Sequence, residues 1–297
     1  MKEITLSAKA KINLTLEIFD KRRDGYHNMR SVMHKIGLAD TVRIEVDDNT
    51  DKKNENAGAI NVACSVAVCE ERDNLAYKAA ESFANLYYKK TGKVFSAKIY
   101  IEKNIPDKAG LGGGSADCAA VLDGLQKLLG IISDSEKQEL AEGLGSDVPF
   151  MLEKYDCALA TGTGTTLEVL PMMPVCFCVI GTPNVGLSTR EIYDLFDTKK
   201  YVLPRVRTSS LISALEQEDF GRICDNIVNQ FEPICIHELS EIGKIKKSLL
   251  KSGAYAAQMS GSGSAVFGIF TNENEAEKAY DALGELDFEV RRSLCKI

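Results

Sequence analysis

Four glycines fall within five residues, at Gly110, Gly112, Gly113 and Gly114, and Ser115 follows them. Glycine loses more backbone freedom on ordering than any other residue. A cluster of it therefore implies unusual backbone angles or the close approach of a ligand. The next residues carry Val121, Leu125, Leu128 and Leu129 at helical core spacing. Before the glycines, Val94–Lys103 alternates apolar and polar residues and ends at Pro106. The order is strand, glycine loop, helix, which a mere connector would not require. In that place free N–H groups and the positive end of the helix dipole converge on one point, an anion cradle suited to phosphate. Spelling excludes the common phosphate loops. Gly92-Lys93 and Gly243-Lys244 are followed by Val94 and Ile245, so there is no Gly-x4-Gly-Lys-Ser/Thr. Gly-x-Gly-x-x-Gly fails at Asp117, as does a hydrolase elbow around Ser115.

Transfer of a phosphoryl group to a hydroxyl needs donor and acceptor in line, charge stabilisation on the moving group, and something to receive the hydroxyl proton. Asp147 is the candidate proton acceptor, because Gly145 before it and Pro149 after it would hold its carboxylate at a loop-to-element junction. The same position suits an ordinary helix-capping aspartate, and the residues alone leave both readings open.

The elements that must position these groups are legible as hydrophobic periodicity. Ile4–Ala8, Lys11–Phe19 and Thr41–Val46 alternate with a period of two, which predicts half-buried strands. Asp47–Gly58 is polar, charged and without a period, and reads as a surface loop. A helix is predicted from about Asn74 to Lys90, with Asp73 as its N-cap and Gly92 past its end. Composition shifts beyond Gly162-Thr163-Gly164, and a domain boundary is expected near residue 165. A strand at Cys176–Gly181 precedes several helical segments between Thr189 and Lys251. The chain then reads as strand (Ala254–Met259), glycine turn, strand (Ala265–Phe270), helix (Glu273–Leu286) and strand (Phe288–Arg292).

The 297 residues suffice for one large domain or two ordinary ones, and a net charge of −7 narrows the partners. Lys21–Arg23 and Lys244–Lys247 are short and lie among acidic neighbours. They read as solvated faces, not as a stripe that neutralises a nucleic acid backbone. The longest apolar stretch, around Pro171–Gly181, holds two prolines and is too short to span a bilayer. No export signal is legible at the start. The nine cysteines are odd in number and contain no Cys-x-x-Cys. They are expected to be reduced, mostly buried thiols of a cytoplasmic protein.

Pro106–Ala116 resembles the central motif of the GHMP kinases (galactokinase, homoserine kinase, mevalonate kinase, phosphomevalonate kinase). Ala10-Lys11-Ile12-Asn13-Leu14 and Met259-Ser260-Gly261-Ser262-Gly263 resemble that family's other two motifs, in the family's order and across nearly the whole chain. The resemblance implies an α+β, two-domain GHMP kinase fold. Residues 1–165 would form an ATP-binding and catalytic N-terminal domain like that of ribosomal protein S5, and residues 166–297 a ferredoxin-like C-terminal domain. It implies ATP with Mg²⁺, whose protein ligands it leaves unassigned. ATP would be contacted by Pro106, Gly110, Leu111, Gly112, Gly113, Gly114, Ser115 and Ala116, with Asn74 and Lys103 near the adenine. It makes Asp147 the base. Lys11 becomes the cation that keeps this carboxylate ionised and favours a developing alkoxide. Without the match, Lys11 reads as a solvated strand-edge residue.

Asp24-Gly25-Tyr26-His27, Asp73-Asn74-Leu75, the loop from Gly110 to Ser115, and Gly145-Ser146-Asp147-Val148-Pro149 together resemble one branch of that family. Its acceptor is a cytidine diphosphate-linked methylerythritol, phosphorylated on its 2-hydroxyl in the non-mevalonate route to isoprenoid precursors. This implies a substrate site of Asn13, Tyr26, His27, Thr189 and Tyr193, with Tyr26 and Tyr193 sandwiching cytosine and His27 bonding its edge. Tyr193 and Phe196 also fit the apolar face of a helix. Two positions depart from the pattern. Ala116 stands where many relatives have a second serine, and Gly162-Thr163-Gly164-Thr165 replaces the more usual Gly-Arg-Gly-Glu. Neither removes the base or the cradle. Homoserine or mevalonate offers no base to stack, so Asp24–His27 argues against those acceptors. A non-catalytic binding module on the same fold is at odds with the negative charge and the joint presence of Lys11 and Asp147. Monomer and homodimer both stay open.

Overall fold

The computed structural model describes residues 1–48 and 58–297, so the interior of the loop expected at Asp47–Gly58 lies outside the described residues. In chain order the elements are β1 (Lys2–Asn13), β2 (Thr15–Lys21), β3 (His27–Asp47), β4 (Ile60–Cys64), α1 (Leu75–Thr91), β5 (Ser96–Glu102), α2 (Gly113–Leu129), α3 (Asp134–Leu144) and α4 (Val148–Leu152). They continue as β6 (Cys157–Gly162), β7 (Thr166–Val169), β8 (Phe177–Pro183), α5 (Thr189–Asp197), α6 (Thr208–Glu216), α7 (Phe220–Asp225) and β9 (Val228–Asn229). The last are α8 (Glu232–Glu238), α9 (Ser240–Lys251), β10 (Ala256–Met259), β11 (Val266–Phe270), α10 (Glu273–Gly284) and β12 (Val290–Lys296). Among the described residues no helix is long and apolar enough to cross a membrane.

Compactness divides the chain into two units that interleave along the sequence. One unit comprises 1–10, 39–105 and 113–154, and the other 11–38, 106–112 and 155–297. The physical reason is strand length: β1 and β3 each run from one unit into the other. The 21-residue β3, of which only Thr41–Val46 was legible as alternation, pairs with β6 in its first half and with β5 in its last.

In the first unit, β3 and β5 pair antiparallel from Thr41↔Glu102 to Asp47↔Ser96, and β4 lies parallel to β5. Alternate residues Val42, Ile44, Val46, Ala97, Ile99 and Ile101 turn to one face and form a core with Phe83 of α1 and Val121 and Leu125 of α2. Gly124 is required there, because a Cβ on it would sit 2.4 Å from Ile44 Cδ1. Helix α1 is capped by Asn74, one residue after the expected Asp73; its Oδ1 accepts from Ala76 N–H at 2.9 Å. Gly92 ends it in the left-handed region, as its position past the last apolar residue predicts.

In the second unit, β2, β3 and β6 pair antiparallel, β6 and β7 form a hairpin, and β9 runs parallel to β2. The Gly162–Thr165 departure is the turn of that hairpin, with both glycines at positive φ. The C-terminal strands form an antiparallel sheet in the order β10-β11-β8-β12. Helices α9 and α10 pack on it through Ile242, Ile245, Leu249, Ala276, Ala279 and Leu283, which is the ferredoxin-like arrangement. Among the described residues every cysteine is a free thiol, and most are buried. Burial pushes the thiols of Cys118, Cys157, Cys176, Cys224 and Cys235 up to about 12, so they stay protonated.

Candidate active site

The division between the units falls within the glycine loop: Pro106–Gly112 belongs to the second and Gly113 onward to the first. In the second unit the structure brings three separated motifs together. Lys11, at the end of β1 and only 4% exposed, donates from Nζ to Asn13 Oδ1 at 2.7 Å. The backbone N–H of Lys11 donates to Leu111 O at 2.9 Å. Asn13 Nδ2 donates to Ser31 Oγ at 2.8 Å, and Asn13 N–H to Ser260 Oγ at 3.3 Å. Ser260 Oγ in turn donates to Gly110 O at 2.9 Å. Lys11 is thus a buried, oriented cation and not a solvated edge residue. Asn229 holds the Ser260 turn from below, donating to Met259 O (2.9 Å) and Gly261 O (2.8 Å). Neither Asn229 nor Ser31 stood out in the sequence, because each acts through partners distant in the chain.

Gly110 has φ +77°, and a Cβ on it would lie 2.2 Å from Ser260 O. Gly110→Ala should therefore cost more than the about 1–2 kcal/mol of a left-handed residue, since backbone must also move. Its denaturation midpoint should fall clearly below wild type; an unchanged midpoint would mean that this contact is not needed.

Thr189 opens α5, and its Oγ1 lies 2.7 Å from Ser262 Oγ, so this threonine joins the same glycine-serine turn. His27 begins β3 and is buried, with Nε2 2.7 Å from Asp197 Oδ1. Hydrogen bonds from Lys21 first, then from His27, hold the Asp197 carboxyl below its ordinary value. Tyr193 stacks against His27 with ring centroids 5.0 Å apart and meets the edge of Phe231 at 4.8 Å. Phe196 meets His27 edge-on at 5.9 Å. Tyr193 therefore does occupy the apolar face of its helix, and it also backs the histidine. Tyr26 is 68% exposed and among the described residues makes no ring contact. The structure joins His27 to Tyr193 but does not pair Tyr26 with Tyr193.

In the first unit, Gly113, Gly114, Ser115 and Ala116 form the first turn of α2, so the helix starts inside the glycine cluster. Beneath it lies a buried charge cluster that sequence reading missed. Lys103 Nζ donates to Asp117 Oδ2 at 2.7 Å and to Asp40 Oδ2. Asp40 Oδ1 accepts from Ile105 N–H at 2.8 Å and from Asn104 N–H. A Cβ on Gly113 would lie 3.5 Å from Lys103 Nζ, so the cluster directly supports the loop. Lys103 is thus committed to two carboxylates, and Asn74 to capping α1. The side chains expected near adenine are held by the fold itself. Asp147 precedes α4 and makes no capping hydrogen bond, which removes the helix-cap reading.

Asp117 is 3% exposed, and its Oδ1 has no hydrogen-bond partner. Burial, with the charge of Asp40 adding to it against the pull of Lys103, pushes its carboxyl up to about 7. From about pH 4 to about 7 the folded chain then binds more protons than the unfolded one. This contribution is fully present below the ordinary carboxylate value and is lost as pH rises through about 7. Denaturant unfolding should show stability falling between pH 5 and 7.5, and Asp117→Asn should flatten that slope. Identical slopes in both proteins would refute the assignment.

Residues 74–154 match the GHMP kinases N terminal domain, and residues 211–287 match GHMP kinases C terminal. A 4-diphosphocytidyl-2-C-methyl-D-erythritol kinase of Acetivibrio thermocellus is 38% identical over 291 residues, covering 97% of this chain and 98% of its own. The protein of that name from Caldicellulosiruptor saccharolyticus is 39% identical over 94% of this chain and 92% of its own. A crystal structure of a 4-(cytidine 5'-diphospho)-2C-methyl-D-erythritol kinase superposes with a TM-score of 0.78 at 30% identity, covering 99% of this chain and 98% of the other. With both domain matches, near full-length identity and the glycine-loop architecture in agreement, this chain belongs to the GHMP kinase family and is a small-molecule kinase.

Proposed function

We propose that this kinase transfers the γ-phosphate of ATP to the 2-hydroxyl of 4-diphosphocytidyl-2-C-methyl-D-erythritol. The observation that carries the reading is the hydrogen-bonded assembly of Lys11, Asn13, Gly110, Leu111 and Ser260, together with relatives of that name along nearly the whole chain. The glycine loop cradles the phosphates and the dipole of α2 favours their charge. Lys11, oriented by Asn13, offsets negative charge as the hydroxyl becomes an alkoxide. Asp147 receives the hydroxyl proton. Among the described residues no group of three or more His, Cys, Asp or Glu is arranged for a metal ion. Mg²⁺ enters this reading together with ATP. The two family matches fall on either side of residue 165, which supports an ATP-binding and catalytic part followed by a C-terminal part. A reducing, cytoplasmic setting suits the free thiols.

Phosphate transfer measured with the cytidine substrate, homoserine and mevalonate tests the acceptor: turnover of the first alone is expected, and preference for either other would overturn it. On the same reading Tyr26 stacks on cytosine while His27, backed by Tyr193, faces the base through Nδ1, since its Nε2 is held by Asp197. Tyr26→Ala should cost about 1–3 kcal/mol of acceptor binding, roughly a ten- to hundred-fold rise in its KM. The KM for ATP should hardly move, and because Tyr26 is exposed, so should the melting temperature. Tyr26→Phe, which keeps the stacking face, should be milder. Equal losses for both substrates would remove Tyr26 from the acceptor site.

A further inference from the structure

A cavity of about 460 Å³ opens at the N-terminus of α6, and its lining includes Glu17, Arg30, Arg205, Arg207, Thr208 and Ser209. Glu17 and Arg30 are cross-strand neighbours on β2 and β3. Each is one residue out of step with Ile18 and Met29, which pack into the apolar core. Strand alternation therefore sets the cavity on the face of this strand pair opposite that core, and opposite His27, which shares the parity of Met29 on β3. Arg30 donates to Ser209 Oγ at 3.2 Å, and Thr208 Oγ1 to Glu17 Oε2 at 3.4 Å. Among the described residues none of the three guanidinium groups lies within ion-pair distance of a carboxylate, Glu17 included.

Left to itself this arrangement opposes its own charges. Arg207 occupies the N-cap of the nine-residue α6, where a hydrogen-bond-accepting side chain is favoured, and no side chain caps the helix. Cations at the positive end of a helix are unfavourable, and no acidic residue in the first turn offsets them. Yet three arginines gather there in a chain of net charge −7. An oxyanion resolves the conflict. It takes forked donors from the guanidinium groups, with the N–H groups of the first turn adding to them.

We propose that this cavity binds a phosphorylated small molecule through its phosphate or diphosphate group, at a site distinct from the glycine loop. The volume exceeds what one phosphate needs and lies within the range of small-ligand pockets. Glu17 lines the remaining space and can accept from a hydroxyl or amino group on the body of the ligand. The site connects by side-chain hydrogen bonds to the acceptor residues: Thr208 Oγ1 reaches Thr15 Oγ1 at 3.5 Å, Ser31 Oγ donates to Thr15 O, and Asn13 Nδ2 donates to Ser31 Oγ.

The test titrates inorganic phosphate and, separately, pyrophosphate into the full chain after its nucleotide site has been saturated with a non-hydrolysable ATP analogue. Calorimetry should show saturable binding to one site, tighter for pyrophosphate if the natural ligand is a diphosphate and equal for both if a single phosphate is read. The double variant Arg205→Ala/Arg207→Ala should weaken it at least about tenfold, with kcat and the KM for ATP unchanged. Glu17→Gln should tighten it, because one repelling charge is gone. Absence of saturable heat in the wild type, or equal affinity in wild type and double variant, would overturn the proposal.

Discussion

Asp147→Asn is expected to lower kcat by about 10²–10⁴-fold, the scale of a lost general base, while the KM for ATP stays near its wild-type value. Asparagine keeps the size and the hydrogen-bonding reach of the side chain but cannot take the hydroxyl proton. The structure sharpens this test, because Asp147 stands at the N-cap of α4 without making a capping bond. Replacing a capping aspartate by alanine, which has no side-chain acceptor, costs about 0.5–2 kcal/mol of stability, and Asp147→Ala should cost less. Thermal melts beside steady-state kinetics separate the two roles. A variant that keeps more than about a third of wild-type kcat would take Asp147 out of the mechanism.

The second large effect concerns stability. Lys103→Met should destabilise the chain by about 3–5 kcal/mol at neutral pH, the usual cost of removing one partner from a buried ion cluster. Burial disfavours the charge on Lys103, but the pull of Asp117 and then Asp40 outweighs it and raises its pKa. Without the ammonium group, two carboxylates would share an interior with no counter-charge. The loss should shrink towards pH 5, where Asp117 takes up a proton. If instead Lys103 served only to contact adenine, its removal would raise the KM for ATP and leave the unfolding midpoint in place. Urea unfolding at two pH values, with the KM for ATP measured on the same preparation, decides between these outcomes.

Asp147 and Lys103 differ in what the sequence makes legible about them. The strand–glycine loop–helix order, the C-terminal run of strand, glycine turn, strand, helix and strand, and the three separated motifs were legible because each rests on local spacing or on a contiguous string. Asp147 was singled out by its glycine and proline neighbours. Asp117 was noticed only as the residue that spoils a glycine pattern, and Asp40 not at all. Their partner Lys103 lies 14 residues from one and 63 from the other, and no periodicity links them. The N-cap of α1 differed by one residue for a related reason: Asp73 and Asn74 are both good caps, and the geometry of the preceding turn chooses.

By itself the sequence determined which segments become strands and helices, where the glycine loop lies, and which family these features resemble. Such properties follow from backbone preferences and from the side-chain period of each element. Tertiary structure alone decided that β1 and β3 serve two compact units, that Lys11 is buried against Asn13, and that Ser260 closes on Gly110. It also decided that His27 is held by Asp197 and that Lys103 is spent on two aspartates. Each of these joins residues far apart in the chain, whose approach is set by how whole faces pack and by the need to pair every charge taken out of water.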